Sequence, residues 1–307
     1  NSRSVSLKFE SQIYDYLSDG VHIPHAYLIN INRTQQALVM ELLGPSLDEI
    51  CQEVGGKFCL KTICHIAIQV LLLLEYIHSR SIVHRDIKPQ NFLLGRKNPS
   101  QIYIIDFGLA QKYCKYSDLF NLKNANFPFI FGTVDYLSVN AHRGIEQSYR
   151  DDLESLFYVL MNLYLGPLPW KNTTSNIRAF KIELILQKKL SINYKEYTNL
   201  PQQFHEYLNY ARKLEFGEYP NYAYLRHLFH QTLKNHNLPY DYTYEWTCNL
   251  SDPTSEQTQC SQKFGENLEI ATSSNVPPLI SFLHLPPLSR LDMPNDFLEK
   301  LNSIKDL

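Results

Sequence analysis

At 307 residues and 35.9 kDa, with 44% hydrophobic residues, the chain has enough apolar material for one two-lobed domain or two small ones. A formal charge of −2 and a pI near 6.6 argue against a general nucleic-acid-binding surface. Six cysteines (Cys51, Cys59, Cys64, Cys114, Cys248 and Cys260) form no CxxC pair. With no N-terminal signal peptide, they point to free thiols in the cytosol or nucleus.

Residues 5–9 alternate like a short strand, and residues 10–17 have helical spacing. Residues 37–40 read as an apolar strand that runs into Glu41-Leu42-Leu43-Gly44-Pro45, where Gly-Pro marks a turn. Ser46, with Glu49 three residues on, is the N-cap signature of a short helix reaching about residue 54. Residues 60–79 form a helix apolar nearly all round; its richest run, 66–77, is too short to span a bilayer and predicts a core helix. Short strands at 92–94 and 101–105 flank a turn at Lys97-Asn98-Pro99. A second apolar helix covers 151–165 and stops at Gly166-Pro167, and helical segments follow at 177–189, 202–214 and 222–235. From about residue 250 to 277 the chain is rich in Ser, Thr, Gln, Asn and Pro, and residues 279–307 carry Pro286-Pro287. Both stretches predict disorder in preference to a docking tail.

Two blocks carry the chemistry. His84-Arg85-Asp86-Ile87-Lys88-Pro89-Gln90-Asn91 reads H-R-D-x-K-P-x-N, and Asp106-Phe107-Gly108 follows after the strand–turn–strand. This spacing resembles that of protein kinases. Phosphoryl transfer needs a nucleophile held in line and neutralisation of the charge growing on the phosphate oxygens. Asp86 would accept or orient the substrate hydroxyl proton and Lys88 would face the γ-phosphate. Asn91 and Asp106 would hold Mg²⁺, a hard cation that takes oxygen ligands.

Between residues 23 and 246 the chain resembles the casein kinase 1 family of protein kinases. The hinge-like Leu38-Val39-Met40-Glu41-Leu42-Leu43-Gly44-Pro45-Ser46-Leu47 and the metal-binding-like Ile104-Ile105-Asp106-Phe107-Gly108-Leu109-Ala110 carry the likeness. So do Ser138-Val139-Asn140, where most kinases have A-P-E, Gly144-Ile145-Glu146-Gln147-Ser148, Arg150-Asp151-Asp152-Leu153-Glu154-Ser155, and the domain end at Tyr240-Asp241-Tyr242 and Trp246. The resemblance implies an α+β, two-lobed kinase fold: a small lobe and hinge over 1–43, a helical lobe over 44–249 and a tail over 250–307. It implies ATP and Mg²⁺ as cofactors, protein substrates with Ser/Thr acceptors, and a monomeric protein of the cytoplasm or nucleus with neither nucleic-acid binding nor membrane insertion. It also implies that the backbone of Glu41 and Leu43 bonds adenine, that Met40 is the gatekeeper, and that Leu93 and Ile105 pack on the ring. Thr133 would bridge Asp86 and Lys88, and Asp152 would hold the catalytic-loop backbone.

The chain also departs from this pattern. No G-x-G-x-x-G precedes Lys8, so an incomplete small lobe is expected. Residues 5–10 look like the family's strand bearing the phosphate-binding lysine, which makes Lys8 a nucleotide-binding candidate. Residues 10–14 look equally like its first helix, with Glu10 the partner of that lysine, yet residues two positions apart make a poor pair. In the segment before Gly132 the chain has Phe127-Pro128-Phe129-Ile130-Phe131, where the family has basic residues. Asp135 replaces an anion-binding arginine, while Arg178 and Lys181 match two other basic positions of that anion site. Phe157 stands for a glycine, which suggests local repacking. Two function readings stay open: an active Ser/Thr kinase, or a pseudokinase-like binding protein without a phosphate cover.

Overall fold

The computed structural model describes residues 2–32, 35–113, 130–192, 197 and 199–247, with residues 2–6 described by their backbone alone. All of them lie in the first of two compact units, Asn1–Phe264; the second, Gly265–Leu307, lies outside the described residues. So do Cys114, Cys248, Cys260, Phe127-Pro128-Phe129 and the tail from 250 onward.

A single helix, α1 (Ser2–Tyr16), replaces the strand expected at residues 5–9. A strand needs a neighbour for its backbone groups, whereas a helix satisfies its own. Ile13, Tyr14 and Leu17 recur at helical spacing and are all buried, so packing favours the helix too. After it, β1 (Ala26–Asn30), a strand with no forerunner in the sequence reading, pairs antiparallel with β2 (Gln36–Met40), Ala26 opposite Met40 and Tyr27 opposite Val39.

The larger part is helical. At the start of α2 (Leu47–Glu53) the Ser46 N–H donates to Glu49 Oε2 at 2.7 Å and the Glu49 N–H donates back to Ser46 Oγ at 3.3 Å, the reciprocal cap its sequence predicted. The 20-residue α3 (Leu60–Ser79), with a mean hydropathy of 1.6, is by length and composition long enough to cross a membrane, but 72% of that apolar window is buried inside the protein. It is the core helix the sequence predicts, with the predicted bounds, although its apolar stretch is longer than the 66–77 run that is too short to span a bilayer. The domain end is tied to α3, where Asp241 pairs with Lys61 at 2.8 Å and Gln69 donates to Tyr244 Oη, and to the turn at residues 97–99, where Trp246 Nε1 donates to Pro99 O at 3.0 Å. Cys51, Cys59 and Cys64 are free thiols, as expected for these three.

Two further short antiparallel pairs and a turn carry the segments around the H-R-D block. Strand β3 (Ile82–Val83) pairs with β6 (Gln111–Lys112), and β4 (Phe92–Leu94) with β5 (Ile102–Ile104), Leu93 opposite Tyr103. A 3₁₀ turn, Pro89–Asn91, leads into β4. Beyond them come α4 (Val139–His142), the buried α5 (Tyr149–Leu165), α6 (Arg178–Ser191), α7 (Gln202–Lys213) and α8 (Tyr222–Asn235). Phe157 sits wholly inside α5's core contacts, its ring edge-on to Tyr158.

Candidate active site

The catalytic candidates converge on one carboxylate. Asp86, nearly buried, accepts at Oδ1 from both the Thr133 N–H (2.9 Å) and Oγ1 (2.8 Å), and at Oδ2 from Lys88 Nζ (2.5 Å). Thr133 was expected to bridge Asp86 and Lys88; its bond to Asp86 is present, but Asp86 itself is the bridging group, lying between Thr133 and Lys88. A carboxylate has roughly four lone-pair sites. Three donors leave one on Oδ2 for a substrate hydroxyl. Asn91 Nδ2 donates to Asp86 O at 2.9 Å, which leaves its amide oxygen for a cation. Asp106 lies on the other side of Lys88, its Oδ2 3.7 Å from Nζ, and its side chain is 43% exposed. Among the described residues no three His, Cys, Asp or Glu side chains gather as a metal cage. One carboxylate and one amide oxygen nevertheless fit a hard divalent cation that takes its remaining ligands from phosphate and water.

Asp106 has to be held in an unusual backbone conformation, with φ +69°. Its N–H donates to Tyr14 Oη at 2.9 Å, and the neighbouring Phe107 N–H is bound by Glu10 on the same face of α1. Burial raises the Glu10 carboxyl to about 7, helped by the charge of Asp106 and opposed by the Phe107 N–H. The rings stack onward: Tyr14 meets Phe107 edge-on at 5.0 Å, and Phe107 meets His84 at 5.1 Å. Sequence reasoning placed Glu10 on this helix but missed the contact with Phe107. The i, i+4 spacing of Glu10 and Tyr14 was the available signal. Lys8 is not brought to the site. It is exposed on α1, roughly 200° around the helix from Glu10, and no ion pair joins the two among the described residues.

The apolar nucleotide-side candidates are half-buried, at the end of β2, in the middle of β4 and just after β5. Met40 ends β2 and packs half-buried on the core, and Leu93 and Ile105 are half-buried between buried neighbours Phe92, Leu94 and Ile104. The hinge is pinned to β4, with Gly44 N–H donating to Leu94 O at 2.8 Å and Leu94 N–H to Pro45 O at 2.9 Å. Glu41 is exposed and Leu43 half-buried. The Glu41 N–H is taken by His25 O at 3.0 Å, so its carbonyl and the Leu43 N–H are the hinge groups open to a flat heteroaromatic ring.

Three acidic residues in the first two turns of α5, Asp151, Asp152 and Glu154, organise the loops around this centre. Asp152 is buried beneath the catalytic loop and accepts from the backbone N–H of His84 (2.8 Å) and Arg85 (2.9 Å) and from His78 Nε2 (2.8 Å). Burial works against its charge, but the His78 hydrogen bond, the nearby His78 and His84 and the His84 N–H together hold the carboxyl below its ordinary range. This is the anchoring role predicted for Asp152. Asp151 accepts from Ser138 Oγ at 2.5 Å and from the Ser148 N–H at 2.8 Å; burial raises it to about 6 against those two bonds. Glu154 accepts from the Val139 N–H (3.3 Å) and from Arg212 Nε (3.0 Å).

Segment 133–137 is held from below by a lysine that sequence reasoning missed. Lys189 on α6 is fully buried and donates to Leu137 O at 2.6 Å and Val134 O at 3.3 Å, with Tyr158 and Trp170 rings 4.4 and 5.0 Å away. Burial drives its pKa well down, with Glu154 and Asp135 opposing. Trp170 Nε1 holds Asp135 O at 2.8 Å, while the Asp135 carboxylate pairs with Lys171 at 3.3 Å. Arg178 and Lys181 stand in the first turn of α6, exposed and half-buried, and among the described residues neither forms an ion pair with Asp135.

The family model for the protein kinase domain matches residues 4–216, which take in most of α1, residues 41–45, the H-R-D block, Asp106 and the start of α5. A protein kinase domain brings ATP, a divalent metal and a protein substrate with it. By this match, and by its mainly helical α+β fold with small sheets, the chain belongs to the protein kinase family.

Proposed function

We propose that the protein is an active serine/threonine kinase of the casein kinase 1 type, moving the γ-phosphate of Mg-ATP to a Ser or Thr hydroxyl. The observation that carries this is the assembled state of Asp86, with Thr133 on one oxygen and Lys88 on the other. Asp86 orients the incoming hydroxyl and takes its proton, while Lys88, between Asp86 and Asp106, neutralises charge on the transferring group. Asn91 and Asp106 would hold the cation, which when bound neutralises phosphate charge. Lys88 two residues after Asp86 supports Ser/Thr acceptors, and the tie of Ser138-Val139-Asn140 to Asp151 and Glu154 supports the casein kinase 1 type. A monomer in the cytoplasm or nucleus belongs to the same proposal.

Nucleotide binding is tested by melting temperature. At Mg-ATP about 100-fold above Kd, binding adds about 2.7 kcal/mol, a rise of about 5–10 °C for a domain of this size. An Asp106→Asn variant is expected to lose the Mg-dependent part of that rise. No rise with the wild type would leave the binding-protein reading without ATP as its ligand.

Substrate choice gives a second expectation. The negative Asp135, already paired to Lys171, disfavours a phosphate beside it. One peptide in phospho-primed and unprimed forms is expected to be phosphorylated at equal rates. A strong primed preference would refute this.

A further inference from the structure

The end of the segment before Thr133 docks on the catalytic loop one residue at a time. Thr133 binds the Asp86 carboxylate. Gly132 has φ +105°, and a Cβ there would lie 2.6 Å from Arg85 O, so backbone runs directly against backbone. Phe131 completes the series: Arg85 Cζ is 5.0 Å from its ring centroid, and its carbonyl accepts from Gln147 Nε2 at 3.0 Å. The Arg85 guanidinium also donates to the segment that follows Asp106, from Nε to Leu109 O at 2.6 Å and from Nη1 to Gln111 Oε1.

A phosphorylated side chain can order a kinase activation segment by pairing with an arginine. Here the guanidinium face carries an aromatic ring. We propose that Phe131 is a positioning residue whose ring, stacked on Arg85, holds Gly132 and Thr133 against the catalytic loop in place of a phosphate. The inference rests on the kinase reading for its catalytic consequence, but not for its geometry. Phe131 is 37% exposed, so its replacement leaves the core packing intact. Its cation–π contact depends on a ring quadrupole that an aliphatic side chain of similar size lacks, and it strengthens in the order Phe, Tyr, Trp.

The test uses Phe131→Trp, Phe131→Tyr and Phe131→Leu in the full chain, with two readouts. Hydrogen exchange at the Thr133 amide reports the bond to Asp86, and steady-state kinetics on a Ser-containing acidic peptide report transfer. The Leu variant is expected to raise Thr133 exchange about fivefold and lower kcat by a similar factor, with KM for ATP unchanged. Trp and Tyr are expected to shift both less than Leu does. Leu matching Phe in both readouts would overturn the proposal, since simple apolar cover would then suffice. If the wild type transfers no phosphate, the kinase reading fails, and the exchange series alone still decides whether the ring holds Thr133.

Discussion

An Asp86→Asn variant is expected to transfer phosphate about 10³-fold more slowly than the parent, within the usual cost of losing a general base. Asparagine keeps the size of the side chain and one acceptor for the Thr133 N–H and hydroxyl. It removes the basic oxygen, and it turns an NH₂ group toward Lys88, whose Nζ is 2.5 Å from Asp86 Oδ2. Two donors then face each other, so Lys88 swings away from the centre as well. Nucleotide binding should survive, because Asn91 is fixed by the backbone carbonyl of residue 86 and not by its side chain. Measured together, kcat and the Mg-ATP melting shift separate the two functions. A variant that retains transfer within about tenfold would remove Asp86 from the role of base.

Asp152→Asn acts on the fold beneath the site. The carboxylate is 1% exposed and receives three donors, two of them backbone N–H groups that have no other acceptor among the described contacts. An amide offers one oxygen and presents its own N–H groups to the rest, so at least one buried donor is left unpaired. The expected loss is about 3 kcal/mol, or about 6–12 °C in Tm for a domain of this size. The pH dependence follows from sign. The folded pKa lies below the unfolded one, so this stabilisation is fully present above the ordinary carboxylate value of about 4. It is lost as pH falls through the lower folded value. The Asn variant should therefore show a shallower acid limb in a plot of Tm against pH. An unchanged limb would mean that Asp152 does not carry the linkage.

Much of this was legible in one dimension because the relevant signals are local. The Ser46/Glu49 cap, the apolar run of α3 and the H-R-D-x-K-P-x-N spacing each fix geometry within a few residues. The first segment misled because Val5 to Phe9 alternates as a strand does, and alternation says nothing of whether a neighbouring strand exists to pair with. Lys189 was passed over for a different reason. It lies four residues after buried Ile185, on the inward face of α6, but a lysine there reads as an interruption of the pattern. Its compensation comes from carbonyls of residues 134 and 137 and from two rings remote in sequence, which periodicity does not reveal. The Phe107 contact of Glu10 was likewise hidden, since it depends on how α1 meets a loop nearly a hundred residues later.

The ties beneath the substrate-facing loop share one chemical habit. Asp152 takes the N–H groups of residues 84 and 85, Glu154 that of residue 139, Lys189 the carbonyls of 134 and 137, and Trp170 that of 135. Anchors that grip the main chain are indifferent to which side chains project from it. At position 135, for example, it is the backbone carbonyl that Trp170 holds, so the side chain there does not set the path of the chain. Such a frame fixes the path of the loop through its main chain and leaves its side chains free to vary.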